Sequence, residues 1–93
     1  MAYSDQGDDE KAQQEYELIL KYDQQPYPQT YHNLALIHLR RNNFEEGEKL
    51  LLKALSISPR FYPSYDYLIQ IYQVQGKTEK AEEWKRKKKQ NVL

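Results

Sequence analysis

The fold of this chain is decided by residues 28–61, which read PQTYHNLALIHLRRNNFEEGEKLLLKALSISPRF. The spacing that begins at Tyr31 returns 34 residues later, beginning at Tyr65. The recurring positions pair Tyr31 with Tyr65, Leu34 with Leu68, Ala35 with Ile69 and His38 with Tyr72. A period of this length is typical of stacked helical units that cannot bury their apolar faces alone. The repeat therefore predicts a helical scaffold whose role is binding.

The motif continues through the second half of residues 28–61 and indicates a family. Its positions are Tyr31, Leu34, Ala35, His38, Gly47, Leu51, Ala54 and Pro59. This spacing resembles the tetratricopeptide repeat, a unit built from two helices. The resemblance implies an all-α solenoid of antiparallel helix pairs wound into a right-handed superhelix. It also implies a non-enzymatic scaffold that binds proteins or peptides through a concave groove.

The chain is expected to form one domain of about two and a half repeats over residues 1–93. The predicted units are a partial repeat at about 1–27, a repeat at 28–61, and a repeat at 62–93 that ends in a capping helix. In that last unit Lys85 occupies the position of Leu51, so the apolar pattern is lost there. The predicted helices span about 9–22, 28–41, 44–56, 63–75 and 78–90. Their ends are marked by an acidic cap, the prolines, Asn42-Asn43 and Gly76, which divide the periodic segments.

The apolar stripes of these helices predict the core. Its expected members are Tyr16, Ile19, Leu34, Leu51, Ala54, Leu55, Leu68 and Tyr72. Gly47 stands where the resemblance implies alanine, which indicates that two helix backbones approach closely there. Alanine at this position is expected to be neutral or stabilising. Asn43 and Glu46 have the spacing of a reciprocal cap at the start of the third helix.

Composition excludes several classes of protein. The 93 residues include no cysteine, so the chain has no disulfide framework and no thiolate ligand. The apolar runs are too short for a membrane span or a signal segment, and the cytoplasm is the expected location. The net charge is zero, yet the first 25 residues are acidic and the residues from Lys77 onward are basic. Two ends of opposite charge favour head-to-tail association, so a homo-oligomer is one expected assembly.

The resemblance also places candidate groove residues on the first helix of each pair. They are Gln29, His32, Asn33, Leu36 and Arg40, followed by Asp66, Tyr67, Gln70 and Gln73. Helical spacing puts the first set on one face, roughly opposite the Tyr31 and His38 stripe. His32 is expected to be exposed in the groove, whereas His38 is expected to pack as a neutral, hydrogen-bonded residue. The alternative is a solvated helix face that has no ligand.

No catalytic site, metal or cofactor is predicted. His32 and His38 are six residues apart and project from different sides of one helix, so they cannot hold a metal together. Adjacent acidic residues in the helices point apart, as solvated side chains do. In one version of the groove that the resemblance implies, a set of Lys, Asn and Arg residues binds the carboxylate end of a peptide. Asn33 fits that pattern, but Pro63 and Tyr67 occupy positions where it requires cations, so binding of a peptide carboxylate is disfavoured.

Three functions remain open. The first is a protein- or peptide-binding module that uses the groove, and the second is a structural, self-associating segment of a longer repeat array. The third is nucleic-acid or anionic-membrane binding through residues 85–89, which read KRKKK. Five consecutive bases should spread around a helix as a ring, where they interact favourably with its carbonyl end. Nucleic acid and membranes are therefore not the expected partners.

Overall fold

The computed structural model describes residues 6–90, which form five helices and no strand. The helices are α1 (Gln6–Tyr22), α2 (Pro28–Arg40), α3 (Phe44–Ile57), α4 (Tyr62–Val74) and α5 (Thr78–Gln90). Each helix packs on the next along the chain, most extensively within the pairs α2–α3 and α4–α5. The predicted all-α solenoid of helix pairs is confirmed. The boundaries of the three predicted units remain a prediction, and residues 1–5 and 91–93 lie outside the described part of the chain.

Local chemistry explains where the helices begin and end. Pro28 and Pro63 lie in the first turns of α2 and α4, where a missing amide hydrogen costs nothing. Asn42 at φ 60° and Gly76 at φ 75° reverse the chain after α2 and α4. The helix α4 begins at Tyr62, one residue before the expected Pro63. The helix α1 likewise begins at Gln6, ahead of the expected Asp9.

The predicted cap of α3 is wrong. Asn43 occupies the position before the helix, but its side chain makes no capping hydrogen bond. The amide nitrogen Nδ2 lies 3.2 Å from Nδ1 of His38 instead. This contact supports the prediction that His38 is hydrogen-bonded, although the residue is only half-buried.

The core is concentrated in α2, α3 and α4, as the repeat predicts. Leu34, Leu51, Ala54, Leu55, Leu68 and Tyr72 are buried, and Tyr16 is half-buried against them. Ile19 is a wrong prediction, because 40% of it is exposed. The helix α1 packs chiefly on α2, so the side of α1 that carries Ile19 has no neighbour among the described residues.

Gly47 lies on the side of α3 that packs closely against α2. A Cβ atom added to Gly47 would lie 2.5 Å from Cδ2 of Leu39 and 3.6 Å from the carbonyl oxygen of Ala35. The predicted close approach is therefore confirmed. The expectation that alanine fits without cost is not supported, because the end of the Leu39 side chain would have to move.

Candidate functional site

The candidate site is the groove between α2 and α4, the first helices of the two complete pairs. One cavity of about 200 Å³ is lined by Leu36, Leu39, Arg40 and Tyr67. A neighbouring cavity of about 180 Å³ is lined by Leu39, Phe44, Tyr67, Gln70, Ile71 and Val74. Leu39 and Tyr67 belong to both cavities, so the two form one trough with a mainly apolar floor. This set of residues is called the α2–α4 groove below.

Helical periodicity explains why these side chains meet. Tyr67, Gln70, Ile71 and Val74 follow the i, i+3, i+4, i+7 spacing of one helix face. On α2, Leu36, Leu39 and Arg40 share a face in the same way. Leu36, Arg40, Tyr67 and Gln70 were predicted from the sequence to line this groove, whereas Leu39, Phe44, Ile71 and Val74 were not. For Ile71 and Val74 the signal was present, because both follow Tyr67 at helical spacing.

His32 lies beneath this groove, and the prediction that it is exposed is wrong. Only 7% of the residue is exposed, and Nδ1 lies 2.9 Å from the hydroxyl of Ser64 in α4. The imidazole meets the rings of Phe61 and Tyr67 edge-on, at centroid distances of 5.1 and 5.4 Å. Burial lowers the pKa of His32 because the charged imidazolium would lose its hydration. A neutral His32 therefore joins α2 to α4 and supports the ring of Tyr67.

Arg40 is held by α1 at the edge of the groove. Its Nη2 and Nε atoms donate to the two carboxylate oxygens of Asp9, at 2.7 and 3.1 Å. The hydrogen bond from Arg40 lowers the pKa of Asp9, with a further contribution from the guanidinium charge. Next to this pair, Arg41 donates a hydrogen bond to Gln13. Both arginines thus fasten α1 to the end of α2, and a ligand anion would compete with Asp9 for Arg40.

The remaining candidate groove residues are distributed over the surface. Asp66 accepts a hydrogen bond of 2.7 Å from Nζ of Lys88, which joins α4 to α5. Gln29 and Gln73 are exposed, and Asn33 is half-buried. The structure therefore brings Leu36, Arg40 and Tyr67 together in one cavity, with Gln70 beside them. A role for any of these residues in binding remains a prediction.

The basic residues 85–89 do not form the expected ring around α5. Lys85, Arg86, Lys88 and Lys89 line one groove of about 690 Å³ between α4 and α5, together with Asp66, Ile69, Gln70 and Glu82. Only Lys87 points elsewhere, with Nζ 4.3 Å from the centroid of the Trp84 ring. The positive charge is therefore concentrated on one side of the helix, because residues at i, i+1, i+3 and i+4 lie within less than half of its circumference.

Residues 6–90 contain no group of three metal-ligating side chains. Across the same segment, no helix combines the length and apolar character needed to cross a membrane.

A stack of helix pairs with an open groove along its first helices defines a helical-repeat scaffold. Two family models described as tetratricopeptide repeat match the sequence, one over residues 1–26 and one over residues 28–61. The chain belongs to the tetratricopeptide repeat family. Its repeats are generally protein–protein interaction modules, and the family is typically non-enzymatic. No curated protein matches this sequence significantly.

Proposed function

We propose that the chain binds a short segment of a partner protein in the α2–α4 groove. The observation that carries this proposal is the apolar trough around Leu39 and Tyr67, which stays open above a closely packed core. A segment laid along it would place apolar side chains against Leu36, Leu39 and Tyr67. Val74, which is 69% exposed, extends the apolar surface at one end of the trough.

The floor of the groove is held in shape before any partner arrives. The contact between His32 and Ser64 joins the two helices, and the His32 ring restrains Tyr67 from below. A rigid aromatic side chain loses little entropy on binding, which is why tyrosine so often dominates binding energy. Tyr67 is therefore the proposed anchor.

The charges around the groove favour a neutral or apolar segment over an acidic one. Arg40 is already paired with Asp9, and Asp66 with Lys88. The side chain of Gln70 is exposed and makes no hydrogen bond within the described residues, so it is available to a backbone amide or carbonyl of the partner. Binding should consequently depend only weakly on salt.

The test is a screen of a peptide library, followed by titration of the tightest peptide with variants of the whole chain. Val74→Glu and Tyr67→Ala should each weaken binding about tenfold or more, because both remove apolar contact from the trough. Ile57→Glu is the matched control, since Ile57 is a 42% exposed aliphatic residue of α3 outside the α2–α4 groove. Unchanged affinity for both groove variants would contradict the proposal, and so would loss of binding in Ile57→Glu alone.

A further inference from the structure

A second groove, which shares only Gln70 with the proposed peptide site, lies between α4 and α5. It is lined by the four bases Lys85, Arg86, Lys88 and Lys89 and by Asp66, Ile69, Gln70 and Glu82, and its volume is about 690 Å³. We call it the basic groove. Ile69 is 9% exposed, so the floor is apolar beneath a charged rim. An apolar floor with a charged rim suits an amphipathic helix of opposite charge.

The positive charge of the basic groove is only partly neutralised within the chain. Lys85 pairs with Glu82 at 3.1 Å, and Lys88 pairs with Asp66 at 2.7 Å. Arg86 and Lys89 have no acidic partner among residues 6–90. These two cations are free to attract an acidic surface from outside the molecule.

The helix α1 has the complementary chemistry. It carries five acidic and two basic side chains, a net charge of −3, whereas α5 carries three acidic and six basic side chains, a net charge of +3. Leu18, Ile19 and Tyr22 on α1 are 56%, 40% and 72% exposed. Glu15 shares their face at helical spacing and has no ion-pair partner within the described residues. One face of α1 is therefore both apolar and acidic.

We propose that the basic groove of one copy receives this face of α1 from a second copy, so that chains associate head to tail. The apolar side chains of α1 would cover the floor around Ile69, while Glu15 would approach the unpaired Arg86 and Lys89. Such an interface joins two different surfaces of the same chain, so a dimer keeps one unused groove on one copy and one unused α1 face on the other. Association should therefore continue beyond a dimer as concentration rises.

Two variants block the two halves of this interface separately. Arg86→Glu with Lys89→Glu reverses the groove charge, and Leu18→Glu with Tyr22→Glu makes the α1 face polar and more acidic. All four residues are exposed, so both variants should fold, as circular dichroism would verify. Each variant alone should be monomeric in sedimentation velocity at about 0.05 M salt, where the wild type associates. In about 1 M salt the wild-type association should weaken about tenfold or more.

Mixing the two variants gives the decisive measurement. The groove-reversed variant keeps a normal α1, and the α1 variant keeps a normal groove, so one productive contact remains. The mixture should form a one-to-one dimer and nothing larger, because the two surfaces left over are both acidic and repel each other. A matched control, Lys49→Glu with Lys77→Glu, makes the same change in net charge outside the groove and should leave wild-type association intact. Val74→Glu in the α2–α4 groove should also leave it intact.

Four outcomes would overturn the proposal. The first is a wild-type chain that stays monomeric at about 0.05 M salt up to about millimolar concentration. The second is association that both double variants leave unchanged. The third is a mixture of the two variants that remains monomeric. The fourth is loss of association in the groove-reversed variant but not in the α1 variant, which would assign the groove another occupant. None of these results depends on peptide binding in the α2–α4 groove.

Discussion

The helices α3 and α5 occupy the same place in successive repeats but have opposite character. The helix α3 lies between α2 and α4 and buries Gly47, Leu50, Leu51, Ala54 and Leu55. Among the described residues of α5 only Ala81 is buried, because this helix packs chiefly on α4. Thirty-four residues after Leu51 and Ala54, the chain carries Lys85 and Lys88. The number of neighbours a helix has therefore determines which repeat positions must be apolar.

The largest expected difference in the effect of a mutation on the free energy of unfolding is between equivalent positions of α3 and α5. Leu51 is fully buried, so Leu51→Ala should lower the free energy of unfolding by about 2–5 kcal/mol through lost contacts and a residual cavity. Lys85→Ala should change it by less than about 0.5 kcal/mol, because Lys85 is exposed and its surface ion pair with Glu82 contributes little to stability. Urea unfolding of both variants measures the difference. Equal effects would show that α5 is packed as tightly as α3.

The next comparison is between the contribution to stability of a buried polar contact inside the stack of helices and that of an exposed ion pair at its end. Ser64→Ala leaves the buried imidazole of His32 without its partner and should cost about 1–3 kcal/mol. Lys88→Ala breaks the exposed pair with Asp66 and should cost less than about 1 kcal/mol. Denaturant midpoints in low and high salt separate the two cases. A salt-dependent loss in Ser64→Ala would contradict a neutral interior contact.

The buried histidine should also make stability depend on pH. Burial in the folded protein lowers the pKa of His32 below its ordinary value of 6.5. At pH values between the folded and the unfolded pKa, the unfolded chain therefore binds more protons than the folded chain. Stability should therefore be full above about pH 7 and fall on acidification through that window, by at most about 1.4 kcal/mol per pH unit. Unfolding midpoints of wild type, His32→Gln and the control His38→Gln test this. The fall from about pH 7 to about pH 5.5 should disappear only in His32→Gln.

The smallest expected effect concerns Gly47 and its counterpart Ala81. Gly47→Ala gains helix propensity but displaces Leu39, so the net loss should be under about 1 kcal/mol. In a variant that already carries Leu39→Ala, Gly47→Ala should stabilise the protein by about 0.5–1 kcal/mol. Ala81→Gly should cost about 1 kcal/mol or more, because no close backbone requires glycine there. A double-mutant cycle measures the coupling of Gly47 and Leu39, and a coupling of zero would contradict the close approach.

Much of the fold was predictable because it depends on spacing along the chain. The period of 34 residues indicated stacked helix pairs, and the prolines, Asn42 and Gly76 marked their boundaries to within a few residues. The buried positions of α2, α3 and α4 followed from the same periodicity. The prediction for Ile19 failed, because periodicity identifies an apolar face without showing whether a neighbour covers it.

The candidate groove was predicted only in part. Leu36 and Tyr67 reach it as expected, since a residue's face on a helix follows from its number. The environment of His32 depends on Phe61, Ser64 and Tyr67 of the following repeat. No local pattern indicates contacts over about thirty residues of sequence, so its burial could not be read from α2 alone.

The sequence by itself determined the repeat, the helices and the side of each helix on which a residue lies, because these follow from local backbone geometry and periodicity. Only the tertiary structure decided which charges are already paired and which remain free. It joined Arg40 to Asp9, thirty-one residues away, and left Arg86 and Lys89 without acidic partners among the described residues. Pairing requires two helices at a defined distance and angle, and packing sets both.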